Sequence, residues 1–560
     1  MTINNKQNRR NFLGSLGTVG AAALSVSVLG IQPLFGQNIT SSQTGDVRQE
    51  LEKRAKDCAN LRCNVALTNL QATPRNLKHL NNGDERLYSD KIGNYSKGLP
   101  HNSDGTVLTS AYDALLFALN TKQQSDFNFI PLGGDRKLVN PQSGLAFDME
   151  GADSQSFVIP PAPAFASREQ AAEIAENYWM ALLRDVPFSQ YSTNPIAKAA
   201  AADLTLFGAD FKGAKSGGIV TTDTLFRGLT RGDKSGHYLS QFFYQPFNFG
   251  ASSVNQQIQT AVGGQDYMTD FASWLSVQNG VSPQIGNIPD PTPRYMRNGR
   301  DIGQWVHVDV LFQAYFQAFL ILAGLNAPVD DGNPYANNPT QDGFGTFGGP
   351  HIAALLCEVA TRALKAVWFQ KWFVHRRLRP EVFAERIDRK LYHGANYPVH
   401  PEISNSLSTE SRLGGFMTAG NALLPQAFPE GSPTHPSYGA GHGTVAGACV
   451  TILKAWFKES TRLVELGITP LQPTDDGLNL FPYTGADAND LTVGGELNKL
   501  ASNVGIGRDI AGVHWRSDAT ESLKLGEAVA ISILRDQKAC YNEAFNGFSF
   551  TKFDGTTITV

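Results

Sequence analysis

Five cysteines in 560 residues are too few to staple a fold. The chain must therefore hold itself together by buried apolar surface, for which its length is ample. Only Cys58 and Cys63, in DCANLRCN, lie close enough to suggest a local bridge, and two ordinary thiols explain them equally well. No Lys/Arg run interleaves with aromatics and the net charge is only −4, so a footprint for nucleic acid or an acidic membrane surface is missing. Past residue 37 no apolar stretch is long enough to span a bilayer. Cys, His and carboxylate clusters at transition-metal spacing are lacking, as is a CxxCH haem site. These absences leave a small molecule or ion as the substrate.

The N-terminus has its own character. NRRNFLGS, residues 8–15, pairs Arg9 and Arg10 with Phe12 and Leu13, and an uncharged Ala/Gly/Val/Leu stretch follows to Ile31. This resembles a twin-arginine export signal, so residues 1–37 are set apart from the fold and the mature protein is expected to be exported, periplasmic or extracellular. Residues 38–165 are rich in Asn, Gly, Pro and Asp and read as an irregular N-terminal arm, with a helical piece over 111–120. Ser167 is a plausible N-cap for a helix that opens a first bundle over 166–325, with further helical patterns at 193–206, 236–247, 265–277 and 301–325. A Gly/Asn/Pro/Asp loop, 326–349, precedes a second bundle over 350–545 and a tail over 546–560. In this second part Ile352, Leu355, Leu356, Val359, Ala363, Leu364 and Val367 form one apolar face, and helices are expected at 407–424, 443–458, 490–511 and 518–536, the last with Asp518 and Glu521 as a capping box. The fold class is all-α, two helical bundles, with no strand-rich block.

Three stretches concentrate charge inside otherwise apolar helical patterns. In KWFVHRRLRPE (371–381), Lys371 closes an apolar face and Arg379 precedes the helix-breaking Pro380. In PTHPSYGAGHGT (433–444), His435 and His442 flank a Gly-rich turn at the amino end of a helix, where free N–H groups and the dipole favour an anion. In GRDIAGVHWRSD (507–518), Arg508 ends one helix and His514 lies in the turn before the next. Singly, each has an ordinary explanation: a basic helix end, a satisfied polar histidine, a plain helix–helix turn. Together they describe an oxyanion pocket. Lys371, Arg379 and Arg508 supply point and fork donors, Gly441 a backbone N–H, and His442 and His514 one proton carrier and one nucleophile or ligand.

On these stretches, and on GTFGGPHIAALLCEVATRALKAV (345–367), the chain resembles the vanadium-dependent haloperoxidases, in particular the bromoperoxidases of red algae and cyanobacteria. That family shares its pocket with type-2 phosphatidic acid phosphatases; the seven residues between Lys371 and Arg379 are one more than in the phosphatase pattern. The resemblance implies a vanadate cofactor with His514 as the vanadium ligand. Lys371, Arg379, Arg508 and the Gly441 N–H would neutralise its oxygens, His442 would move protons, and Lys371 would also act on the oxygen passed to the halide. It further implies hydrogen peroxide and bromide or iodide as substrates, hypohalous acid as product, small organic halogen acceptors and a homo-oligomer. His435 stands where family chloroperoxidases carry an apolar aromatic residue, which favours bromide and iodide. Algal members bind calcium in a loop comparable to 326–342, where Asp330, Asp331, Asn333, Gln341 and Asp342 offer oxygen ligands for a structural calcium.

One position departs from the family pattern: Ala440 replaces a serine whose hydroxyl donates to vanadate. Such a bond to a charged group is worth about 1.5–3 kcal/mol, with Ser437 and Thr444 as the nearest hydroxyls to replace it. Two other readings use the same residues: an acid phosphatase with His514 as nucleophile and His442 as general acid, and a non-catalytic oxyanion-binding assembly protein.

Overall fold

The computed structural model describes residues 47–560; the export signal read at 1–37 lies outside the described residues. The chain divides into a unit up to Asn60 and one from Leu61 to Val560. Of the first, Val47–Asn60 is helical, the opening of α1 (Val47–Ala72). Cys58 and Cys63 both lie on this helix and are unbridged.

The second unit is predominantly helical, its main helices being α2 (Thr109–Thr121), α3 (Arg168–Leu183), α4 (Pro195–Leu206), α5 (Phe271–Gln278), α6 (Gly299–Val308), α7 (Gln313–Gly324), α8 (Gly349–Phe369), α9 (Pro380–Tyr392), α10 (Pro401–Ser408), α11 (Gly441–Trp456), α12 (Val493–Ile510) and α13 (Arg516–Lys538). Three two-stranded antiparallel hairpins, pairing 247–249 with 252–254, 471–473 with 480–482 and 549–551 with 557–559, complete it. No single helix among the described residues is long and apolar enough to cross a membrane.

Local chemistry explains several of these elements. Ser167 caps α3 as expected, its hydroxyl accepting from Gln170 N at 3.1 Å, and Asn194 caps α4, where Pro195 fits the first turn. Elsewhere the pattern misleads. Over 236–247 only a short 3-10 turn, Gln241–Phe243, forms, because the backbone N–H of Gln241 and of Ser240 turn to side chains of α12, Glu496 Oε2 and Asn503 Oδ1. The helix expected at 407–424 instead ends at Ser408, leaving one further 3-10 turn at Leu413–Gly415. The pattern at 301–325 divides into α6 and α7, bent by 99°, with Asp309 leaving the helix in an extended conformation.

The helix α11 decides where the site sits. Its sequence looks amphipathic, yet nearly every residue is buried, because α8, α12 and α13 all pack around it. Its crossing with α13 is close enough to demand glycine on both sides. A Cβ on Gly447 would meet Leu523 O at 2.1 Å, and one on Gly526 would meet Thr444 O at 2.0 Å. This approach brings the amino end of α11 against the turn between α12 and α13. The arm braces the third side: Tyr95 N donates to Arg376 O at 2.8 Å, and Val139 N to Thr434 O at 2.9 Å.

Candidate active site

Lys371, Arg379, His435, Gly441, His442, Arg508 and His514 converge at the mouth of α11. His435, Gly441, His442, Arg508 and His514 line a cavity of about 390 Å3, and Lys371 and Arg379 are fully buried beside it. Three chain segments meet here, so no one stretch contains the site.

Lys371 lies in a π-helical turn, Gln370–His375, that continues α8. Such turns reset the direction of the side chains, and here the ammonium points inward. It donates to Pro436 O at 2.7 Å and Ser437 O at 2.8 Å, which leaves the third of its N–H groups for a ligand. Arg379 spends its donors on His435 O, His435 Nδ1, Val513 O and His514 Nε2, the last at 2.9 Å. Arg508 donates only through Nη1, to Val306 O at 2.9 Å, and its buried Nε has no protein partner. At the start of α11 the first helical bond runs from Thr444 N to Ala440 O, and Ala440 offers no side-chain cap. The N–H groups of Gly441, His442 and Gly443 thus remain to face an anion. A Cβ at 441 would come within 3.1 Å of the Trp368 ring, which glycine spares from shifting.

Asp518 orients His514. Its Oδ2 lies 2.8 Å from His514 Nδ1 and takes that N–H, which leaves the Nε2 lone pair able to accept a hydrogen bond or a ligand. The lone pair now accepts from Arg379 Nη1; a ligand taken up at Nε2 would free that N–H to face the ligand's oxygen. Helix α13 begins at Arg516, two residues before the expected start, with Trp515 at its N-cap, so Asp518 serves as the third residue of the capping box rather than as the N-cap. Its carboxylate accepts Trp515 N at 3.3 Å from inside the first turn, pairs with Arg377 at 2.9 Å and accepts the Ser437 hydroxyl. Ser437 is therefore committed, and Thr444 Oγ1 donates to Ala440 O at 2.8 Å. Neither replaces the missing hydroxyl at 440.

The pocket holds more positive charge than it neutralises. Burial, and then Arg379 and Arg508, push the Lys371 ammonium well below its usual range, against the pull of Asp518. Burial and Arg379 push Arg508 down to about 10. His514 and His435 are held well below the ordinary imidazole range by burial first, then by neighbouring cations, so both rings are neutral. A buried surplus of cations, an orphaned guanidinium nitrogen, free helix N–H groups and a neutral imidazole lone pair fit a multiply charged oxyanion with a ligand-accepting centre, as vanadate is.

Two partners escaped the sequence. Asp309, at the corner between α6 and α7, sits 2.9 Å from His442 Nε2; a carboxylate inside WVHVDVLF was the available signal. Arg377 joins Asp518 to Glu173 of α3, at 2.6 Å to Glu173. Three of the loop residues read as calcium ligands have protein partners. Asp331 pairs with Lys458 at 3.0 Å, Asp330 Oδ1 accepts Gly332 N at 2.9 Å and Asn333 Oδ1 accepts Tyr335 N at 2.9 Å. Among the described residues no group of three or more His, Cys, Asp or Glu side chains is placed to hold a metal ion.

Comparison with known proteins agrees with this geometry. Residues 355–543 match the family described as the VCPO second helical-bundle domain. The vanadium-dependent bromoperoxidase of Corallina pilulifera is 35% identical over 603 aligned positions, covering 91% of this chain and 99% of that one; that of Ascophyllum nodosum is 34% identical over 501, covering 86% and 87%. A solved structure, the homohexameric second vanadate-dependent bromoperoxidase of Ascophyllum nodosum, superposes with a TM-score of 0.84 at 32% identity, over 95% of this chain and 94% of that one. With the cationic pocket intact and the likeness running nearly end to end, the chain belongs to the vanadium-dependent bromoperoxidases.

Proposed function

We propose that this enzyme oxidises bromide and iodide with hydrogen peroxide to hypohalous acid, which then halogenates small organic acceptors. The observation that carries the reading is the unneutralised set of Lys371, Arg379 and Arg508 around a His514 whose Nε2 lone pair is held available by Asp518. Bound there, vanadate supplies Lewis-acid activation of peroxide without changing its oxidation state. The chain's own residues do the rest. His514 would anchor the metal, and Arg508 and the α11 N–H groups would hold its oxygens. The spare N–H of Lys371 would polarise the oxygen passed to the halide and make it more electrophilic. His442 takes and returns protons, with Asp309 stabilising its charged form.

His435 supports bromide and iodide over chloride. Its ring lines the cavity, with Nδ1 3.0 Å from Arg379 Nη2 and 3.1 Å from Pro436 O, and so places a polar imidazole where an apolar ring would suit chloride chemistry. The Arg9–Arg10 stretch supports export, and the homohexameric Ascophyllum structure supports a homo-oligomer. The proposed reaction does not depend on a structural calcium in the 326–342 loop.

Purified apo-protein should gain peroxide-dependent bromide oxidation on adding orthovanadate and lose it with excess phosphate, which competes for the same cations. Activity indifferent to both additions refutes the reading. Hydrolysis of phosphate esters without vanadate-dependent halide oxidation would put this chain's chemistry with the related phosphatases.

A further inference from the structure

Of Lys371, Arg379 and Arg508, the last is the least anchored by hydrogen bonds. Every donor of Arg379 is engaged, and Lys371 is tied to two carbonyls, whereas Arg508 makes its one protein hydrogen bond through Nη1 and leaves a buried Nε unpartnered. One bond at the tip of a guanidinium does not fix its plane. A ring lies against it: the Arg508 Cζ stands 5.6 Å from the Phe428 centroid. His307 is stacked on the same ring, centroids 3.7 Å apart and planes within 12°. His307 is tethered in turn, its Nε2 lying 2.6 Å from Glu430 Oε1. The Glu430 carbonyl is pinned by Lys97 Nζ at 2.8 Å and Arg136 Nη1 at 3.2 Å. Phe428 also packs with Ala511 and Val513, in the turn that delivers His514.

We propose that Phe428, clamped by the His307–Glu430 pair, is a positioning residue that holds the Arg508 guanidinium in the orientation that receives the oxyanion. The reasoning is electrostatic as well as steric. The ring face attracts a guanidinium, most strongly where water is excluded, and it does so without consuming N–H donors, so Nε and Nη2 stay available for a ligand. An anchor built from a carboxylate would fix the side chain equally well but would cancel the charge the pocket needs. The clamp thus reconciles a fixed guanidinium with an unspent one. The inference rests on the reading of the cavity as the vanadate pocket.

The test is titration calorimetry of full-chain apo-protein with inorganic phosphate and with orthovanadate, neither requiring turnover. Phe428→Leu should bind both about three- to tenfold more weakly than wild type, in line with the loss of a partly desolvated cation–π contact. Phe428→Tyr, which keeps the ring, should restore wild-type affinity. Equal affinity in Phe428→Leu and wild type overturns the inference, as does a Phe428→Tyr protein as weak as Phe428→Leu. Should Phe428→Leu not fold, His307→Leu carries the same question: weaker oxyanion binding is expected, and unchanged binding overturns the clamp. A wild-type protein that binds neither oxyanion refutes the pocket reading instead.

Discussion

Asp309 Oδ1 lies 2.9 Å from His442 Nε2, joining the bend between α6 and α7 to the first turn of α11. Burial lowers the pKa of His442 and Asp309 raises it again. The carboxylate therefore sets how readily this histidine carries a proton, and Asp309→Asn should move the pH dependence of turnover. Removing the negative charge lowers the His442 pKa further, so any limb of the profile that reports its protonated form shifts to lower pH. The kcat should fall by about tenfold or more, within the usual range for a disturbed acid–base group. A pH–rate profile superposable on wild type would show that the pair is structural only.

The two pocket histidines should separate when replaced. If His514 is the metal ligand, His514→Ala should remove nearly all activity together with retained vanadate. His442→Ala keeps a measurable share of vanadate, because the Arg508 guanidinium and the helix N–H groups are untouched, while turnover slows. Metal content after gel filtration, measured beside the rate, distinguishes the two; equal loss of both quantities in both variants contradicts the separate roles.

Ala440→Ser offers a new hydroxyl at the N-cap of α11, with two possible acceptor and donor arrangements. If it donates to vanadate, half-saturation by vanadate falls, by up to the equivalent of about 1.5–3 kcal/mol, and the rate at saturation changes little because resting and transition states gain alike. If instead it accepts from a free N–H of the first turn, apo-protein stability rises by about 0.5–2 kcal/mol and vanadate affinity does not improve. Vanadate titration and thermal melting of the apo-protein read the two outcomes independently. An unchanged value in both would mean that the side chain at 440 faces neither.

His375 is buried against Tyr438, ring centroids 4.8 Å apart, with both ring nitrogens unpartnered. Burial, then Arg376, pushes it down to about 3. Between that value and the ordinary imidazole range near 6.5, the unfolded chain binds a proton that the folded chain refuses. This histidine therefore costs stability as the pH falls below about 6.5, by about 1.4 kcal/mol per pH unit. His375→Phe removes the cost. The variant's stability relative to wild type should increase by about that amount for each pH unit between 6 and 4, measured by denaturant unfolding. A pH-independent difference would mean that the ring is hydrated in the folded protein.

The cationic set and its helix-start turn were legible because their signals are local. A Gly-rich turn before an apolar run exposes N–H groups whatever the rest of the chain does, Pro380 marks a helix boundary because its fixed φ suits the first turn of α9, and Ser167 caps by contact with a residue three positions away. The site residues named from sequence are those that the fold gathers. What local pattern could not carry were the partners. Asp309 meets His442 across 133 residues and Arg377 meets Glu173 across 204. Nothing near either carboxylate in sequence announces the pairing. The same reason explains the lost helices: at 236–247 the backbone bonds that a helix would need go to side chains of α12, more than 250 residues away. Periodicity also hid how deep α11 lies, since its polar-looking face is covered by α13 through the paired glycines 447 and 526. The residue types and their order determined a pocket able to hold a charged oxyanion. Only tertiary packing decided which carboxylates would tune it and which cation would be left unspent, because burial and long-range contact, rather than residue identity, set the charge state and the free hydrogen-bonding capacity of each group.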